Sequence, residues 1–444
     1  MIESLMTPEL LVLFMFGGLF AGIFLGFPTA FVLGGVAMIF GFANMGPDIF
    51  GLFITRLFGL MKNYTLLAVP LFLFMGVFME KSGVAERLFQ AMHLLWGGMR
   101  GGLGISTIAI SALFAAATGV VGASEVTIGL MALPAMLGKS YDKSLACGSV
   151  CAGGTLGILI PPSIMIVIYG PIARISVGKL FLGALVPGIL LSLLYMIYIA
   201  VRCYFRPQDG PPMAEEERNV PLSKKLMLLA TSVFPPALLI FSVLGSIFFG
   251  IAAVTEAAAV GVAASIFLAA CYGRLTFSTV KEACTQTLTI TSMILMIAIG
   301  ASFFSSVFVA LGGDDVISSL FLNLPFGKWG ILFTIMALLV IVGMFIDWMG
   351  IVFIIVPLIS PIAAQLGFDP VWFAVLVMVN LQISFLTPPF AYSIFYLKGI
   401  TPPEVETTDI YKGVLPFVGM QVLALLLCVL FPLLITWLPS HLIK

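Results

Sequence analysis

The sequence predicts an all-α polytopic membrane protein built from two repeats of inverted topology. Three observations predict it. Of the 444 residues, 61% are hydrophobic and 9% charged, with mean hydropathy +1.20, whereas soluble domains carry about 25% charged residues. The apolar runs are long and continuous and do not alternate with period two. Helices are then required and a β-barrel is excluded, because backbone polar groups in hydrocarbon have to be paired within the chain. Third, GIFLG at 22–26 returns as SIFFG at 246–250, and Pro161-Pro162 within GTLGILIPPSI returns as Pro388-Pro389 within QISFLTPPFAYSI. The offsets, 224 and 227 residues, agree to about one helical turn, and internal repeats of this kind typify secondary transporters.

A spanning helix needs about 20 apolar residues. Candidate spans run over 8–25, 28–45, 65–80, 144–172 and 180–204, then 226–249, 251–272, 286–312, 371–397 and 413–437. The start, Met1-Ile2-Glu3-Ser4, is acidic and no small-residue cleavage site follows it, so it is expected to stay attached to the first membrane helix. Residues 206–225 form the one clearly polar stretch, with Arg206, Pro207, Asp209, Gly210 and the acids Glu215, Glu216 and Glu217. This is the linker between a first repeat, 1–205, and a second, 226–444. The amphipathic stretches 49–61 and 84–95 read either as arms along the bilayer surface or as loop helices packed on the bundle.

Threading the chain with its N-terminus outside places fourteen basic residues on one side, from Lys81 through Lys139, Lys143, Arg202, Arg206 and Arg274 to Lys398 and Lys412. The other side receives six: Arg56, Lys62, Arg174, Lys179, Lys328 and Lys444. That asymmetry is the positive-inside pattern of a multi-pass bacterial inner-membrane protein. It predicts a cytoplasmic linker, both termini in the periplasm, and antiparallel halves with an odd number of crossings each.

Two stretches carry a single charge each: Glu125 in TGVVGASEV within 101–138, and Asp347 in GMFIDWMGI within 329–368. Their Gly-punctuated centres predict re-entrant helical hairpins whose tips lie in a cavity, with full crossings as the alternative. In the next apolar segments, 144–172 and 371–397, the Pro-Pro pairs remove helix hydrogen bonds and predict broken helices. Freed carbonyls, with the hydroxyls of Ser124, Thr155, Ser163, Ser384 and Thr387, make an uncharged oxygen set suited to sodium. The fresh helix N-termini beside Pro161, Pro162, Ser163, Ser384 and Pro389 suit an anion, and these five are the candidate substrate contacts. Any one Ser or Thr in such a segment would ordinarily serve helix packing; two constellations at repeat-related positions point to a site. Asp347 is the foremost ionisable candidate and Glu125 the second, while Glu256 in VTEAAAVGV fits a structural hydrogen bond or a transport role.

The chemistry of enzymes is missing. The only histidines are His93 and His441, predicted near opposite membrane faces, and no Walker-type loop occurs. Six cysteines at 147, 151, 203, 271, 284 and 428 sit in or beside apolar segments as packing residues. A formal net charge of +0 suggests no nucleic-acid partner.

In this order, GIFLGFPTAF at 22–31, VPLFLFMG at 69–76, GASE at 122–125, GGTLGILIPPSI at 153–164, TEAAAVGV at 255–262 and FLTPPFA at 385–391 make the chain strongly resemble the large (M, DctM-like) membrane subunit of tripartite ATP-independent periplasmic transporters. The resemblance covers essentially the whole length; Val254 stands where that family usually has Pro. It implies an elevator-type transporter, similar in architecture to the ion-transporter superfamily, with Na+ as coupling ion and an organic anion as substrate. By motif it places one sodium site on Ser124, Gly154, Thr155 and Gly157. It places the other on Gly343, Asp347, Gly350, Thr387 and Pro388. It also implies a soluble periplasmic substrate-binding protein and a small four-helix membrane subunit as partners, in a lipid bilayer. A self-sufficient carboxylate symporter of the same architecture shares all of this physics and stays open; a channel fits the paired sites less well.

Overall fold

The computed structural model describes residues 7–119, 121–213, 221–389 and 391–442, except the side chains of 123 and 222. The chain ends, with Lys444, and linker residues 214–220, with Glu215, Glu216, Glu217 and Arg218, lie outside the described residues. Every regular element among the described residues is helical. In the first half α1 (Pro8–Phe24), α2 (Thr29–Met45), α3 (Asp48–Met61), a tight turn (Tyr64–Leu67) with α4 (Ala68–Lys81), and α5 (Val84–Trp96) lead to a hairpin. This hairpin is α6 (Gly102–Thr118) and α7 (Val121–Gly138). A broken pair follows, α8 (Lys143–Thr155) and α9 (Ile164–Ala173), and then α10 (Val177–Phe205).

The second half begins with α11 (Leu222–Phe248) and α12 (Val254–Cys271). Next come α13 (Phe277–Ala310), α14 (Gly313–Leu322) and a hairpin of α15 (Gly327–Gly343) and α16 (Val356–Gln365), entered through a turn Trp348–Gly350 and a π-helical stretch Ile351–Ile355. The broken pair is α17 (Pro370–Leu386) and α18 (Tyr392–Lys398), and α19 (Thr407–Leu430) and α20 (Leu433–Leu442) close the chain.

The packing exchanges elements between the halves. α2 lies on α13 and α12 on α4; α1 lies on α14 and α11 on α5; α8 lies on α19 and α17 on α10; α7 meets α18 and α9 meets α16. Local sequence supports the same correspondence. Asp142 accepts a hydrogen bond from the Leu145 amide to cap α8, and Asp369 accepts one from Trp372 to cap α17, both at 2.8 Å. A side-chain cap supplies partners for the orphan amides of a helix's first turn. Here both broken helices start that way, 227 residues apart, the same offset as the Pro-Pro pairs.

Seven helical stretches among the described residues have the length and hydropathy to cross a membrane. Large apolar side chains such as Phe27, Phe241, Phe267 and Leu433 stand exposed on the outside, which suits a surface solvated by lipid tails. The arms differ. α3 is largely exposed and buries only Ile49, whereas α5 buries Val84, Ala85, Leu88, Ala91 and Met92.

Charges that the sequence assigned to one side pair with groups on neighbouring elements. Arg202 pairs with Asp142 at 2.9 Å and with Asp209 at 2.8 Å, and the Gly101 amide donates to the Gly210 carbonyl. Lys143 donates to the Glu404 carbonyl, and Lys398 to that of Val405. Lys81 pairs with Glu282 at 2.8 Å, and Arg87 lies over the Tyr272 ring. Lys328, assigned to the other side, lies instead over Trp329 and Phe368.

Candidate functional site

Both broken helices come apart at the Pro-Pro pairs. After Thr155 the chain makes a short 3-10 turn, Leu156–Ile158, and regains α-helix only at Ile164; after Leu386 it regains helix at Tyr392. Both Pro-Pro bonds are cis. Proline has no amide hydrogen, so the turns on either side cannot complete their ladders, and nearby hydroxyls take up the freed carbonyls. Thr155 Oγ1 donates to Ala152 at 3.0 Å, Ser163 Oγ to Ile158 at 2.7 Å, and Thr387 Oγ1 to Ile383 at 2.6 Å. Ser384 Oγ reaches across to Val340 on α15 at 3.4 Å. A hydroxyl that donates its proton to a carbonyl keeps its lone pairs for a cation, so these groups fit sodium without a formal charge. Among the described residues no group of three His, Cys, Asp or Glu side chains is placed to hold a metal ion.

The hairpin tips close on these breaks. Gly119 adopts a left-handed backbone (φ +66°), and a Cβ there would sit 3.0 Å from the Pro162 carbonyl oxygen. Glycine tolerates both the conformation and the approach. One turn on, Ser124 donates to the Val121 carbonyl at 2.9 Å, and the Glu125 side chain packs directly on Gly154. Ser124, Gly154, Thr155 and Gly157 of the first predicted set are all buried, and the contact of Glu125 with Gly154 puts the hairpin beside the break. In the second half Gly343 abuts the Ser384 side chain. Asp347 takes the N-cap position of the turn at Trp348, its carboxylate beside the amides of Trp348 and Met349 without closing a cap hydrogen bond. Gly350 is buried, and a Cβ there would come within 2.5 Å of the Ile346 side chain.

The two breaks are not equally covered. Pro161, Pro162 and Ser163 are buried, whereas Pro388 and Pro389 are exposed and Thr387 is half-buried. α9 packs against α4, α10 and α16, while α18 packs mainly against α7, α8 and α17.

A cavity of about 920 Å³ lies between these elements and the helices α2, α4 and α13. One wall is made by the tips (Gly119, Gly122, Asp347, Trp348) and by residues flanking the breaks (Ile158, Ile164, Phe385, Tyr392). The other carries Thr29 and Phe31, Leu73 and Glu80, and Gln286 through Ile297 of α13. Of the predicted residues, Asp347 alone lines it. Pro161, Pro162, Ser163, Ser384 and Pro389, predicted as substrate contacts, do not line this cavity; Ile158, Ile164 and Phe385 near them do. No Lys, Arg or His lines this cavity among the described residues; Arg174 lines a separate one of about 460 Å³ beside α16.

Sequence reasoning missed Tyr392 and Tyr396. Their signal was available: two aromatics at i and i+4 on the first turns after the second break share one helix face. It also missed the partner of Glu125. That carboxyl is fully buried and accepts from Ser393 Oγ of α18 at 2.7 Å, while its second oxygen has no hydrogen bond. It thus ties the first hairpin to the broken helix of the other half. Glu256 accepts from the Ala253 amide at 2.8 Å and so caps α12.

The profile of the tripartite ATP-independent periplasmic transporter DctM component matches residues 16–434. The chain belongs to the DctM family. It is 32% identical over 395 residues to the C4-dicarboxylate TRAP transporter large permease DctM of Pseudomonas aeruginosa, covering 89% of each chain. It is 30% identical over 411 residues to the sialic acid TRAP transporter large permease SiaM of Vibrio cholerae, covering 92% of this chain and 94% of that one. The crystal structure of the Alcanivorax borkumensis YdaH transporter shares the fold, with a TM-score of 0.63 at 13% identity over 96% of this chain and 98% of the other. As a DctM-family large permease, the chain is a multi-pass membrane transport protein.

Proposed function

We propose that this permease imports an organic anion, a carboxylate or sugar acid, coupled to Na+ and by an elevator movement. The hairpins and broken helices would form the moving body, and α2, α4 and α13 part of the scaffold. One observation carries the reading: a single cavity takes one wall from both hairpin tips and both break regions, and its other wall from helices outside that group. Sliding one group past the other would carry the cavity across the membrane without building a continuous pore. The exchanged packing pairs support two inverted repeats, 1–205 and 226–444, joined by the 206–225 linker. Under the charge assignment, Glu80 and Gln286 flank the cytoplasmic Lys81–Glu282 pair, so the cavity reaches toward the cytoplasm and the unequal cover of the two breaks corresponds to an inward-facing state.

The two predicted sodium sets lie at the two tip and break junctions, which supports Na+ as the coupling ion. An entering sodium ion gains about 2.3 kcal/mol per 100 mV from the potential alone, so two ions could drive accumulation without ATP. Substrate is delivered, on this reading, by a soluble periplasmic binding protein, with a small four-helix membrane subunit beside this chain; the cavity, whose described lining holds no Lys, Arg or His, offers no cationic cleft for capture from dilute solution. The test is reconstitution in proteoliposomes. Uptake is expected only with an inward sodium gradient, the small subunit present and the binding protein outside. Sodium-driven uptake by this chain alone would establish the solitary symporter instead.

A further inference from the structure

We infer that the central cavity is built for a monocarboxylate with a bulky, largely apolar body, aromatic or branched, and not for a four-carbon diacid or a polyhydroxylated sugar acid; this rests on reading the cavity as the substrate site. Size is the first ground. At about 920 Å³ the space lies near the top of the range of roughly 300–1,000 Å³ in which pockets bury most of a drug-sized ligand. A four-carbon diacid would fill a small part of it and leave much of its charge facing water or apolar walls.

Charge is the second ground. The described lining holds two acids, Glu80 and Asp347, and no cationic side chain. A carboxylate taken out of water without a counter-charge or hydrogen bonds is strongly disfavoured. One such group can be met by the hydroxyls of Thr29, Ser292, Tyr392 and Tyr396 and by a bound sodium ion. A second would repeat that cost and add repulsion from the wall acids.

The character of the walls is the third. Phe385 and Tyr392, on either side of the second break, pack with ring centroids 6.1 Å apart. The Tyr396 ring lies against Gly122, where a Cβ would come within 2.9 Å of it. Aromatic faces prefer offset or edge contact with another ring. Met293, Met296 and Met349 complete the lining, and methionine adapts its shape to irregular apolar groups. A sugar acid needs many fixed donors and acceptors, and a buried hydroxyl left unpaired is penalised.

The test uses the purified full-length chain in lipid nanodiscs and reads its thermal midpoint against phenylpyruvate, 4-methyl-2-oxopentanoate, succinate and N-acetylneuraminate, each in sodium and in choline chloride. The two bulky monoacids are expected to stabilise the protein in sodium, with an apparent Kd lower than that of succinate or N-acetylneuraminate by about tenfold or more. Met296→Arg, which places a cation on the wall, is expected to shift the preference toward succinate. Tighter binding of succinate or N-acetylneuraminate overturns the inference and leaves sodium coupling standing. Stabilisation by none of the four acids also overturns it. Stabilisation by the monoacids that is equal in choline supports the ligand class and counts against sodium coupling.

Discussion

Ser124, Thr155 and Thr387 each spend their one proton on a nearby carbonyl, which orients the oxygen and removes the donor that would repel a cation. The same geometry in a helix interior would be ordinary back-bonding; the Pro-Pro breaks beside Thr155 and Thr387, and a hairpin tip beside Ser124, give it another use. Ser124→Ala, Thr387→Ala and Asp347→Asn are each expected to raise the half-saturating sodium concentration for uptake by roughly three- to tenfold, about 1 kcal/mol per lost ligand. A sodium titration of uptake at matched expression checks this, and a residue whose variant keeps the wild-type curve does not belong to a site. Asp347 was legible in the sequence because it is the lone acid in a long apolar run. Tyr392 and Tyr396 left only the weak signal of an i, i+4 aromatic pair, since aromatics in such a run are common and only the folded chain shows which face the cavity.

At the scale of elements, glycine sets where two backbones can approach closely. Gly76 of α4 meets the first hairpin backbone to backbone: a Cβ there would stand 2.5 Å from the Thr118 oxygen and 2.9 Å from its Cα. Gly300, 224 residues later on α13, meets the Ala30 carbonyl of α2 at a comparable distance. The first contact joins the proposed scaffold to the moving body, and the second lies within the scaffold. Gly76→Val is therefore expected to cut uptake by about tenfold or more and, because the Thr118 backbone has to give way, to lower the thermal midpoint as well. Gly300→Val is expected to lower the thermal midpoint, by an overpacking cost of about 1–3 kcal/mol. Wild-type uptake per folded molecule in Gly76→Val would mean that the α4 contact takes no part in the movement. Gly76 closes the VPLFLFMG motif, and its packing supplies the physical reason for a glycine there. Sequence alone could mark the motif; the partner backbone lies 42 residues away on another element.

At the scale of the whole molecule, the charge assignment is open to direct test. Gly210 is buried against Gly101 and Cys203, so an exposed neighbour is the better probe. Gln208→Cys and Asn323→Cys, both at exposed positions and made in a background lacking the six native cysteines, are expected to react oppositely with an impermeant maleimide on intact cells. Asn323→Cys should label and Gln208→Cys should not. Labelling at Gln208 from outside would invert the topology and turn the cavity's opening toward the periplasm.

The sequence by itself determined the solvent and the all-helical class, but not every helix end: the expected span 286–312 begins at Phe277, and 413–437 divides at Phe431-Pro432. Apolar length, the Pro-Pro breaks and the single-charge hairpins are local properties, set by hydrocarbon thickness and backbone hydrogen bonding. It also suggested a repeat, through the same breakers at the same spacing in both halves, a reading that belongs with the proposed function. Only the tertiary structure decided which break is covered, that Glu125 binds Ser393 across the halves, and that the cavity wall is formed by Ile158, Ile164 and Phe385 in place of the prolines and serines beside them. Those features depend on which helix faces meet. In a chain this uniformly apolar, every face is equally fit for lipid or for protein, so hydropathy carries no record of the choice; close packing at glycines and a few buried hydrogen bonds make it.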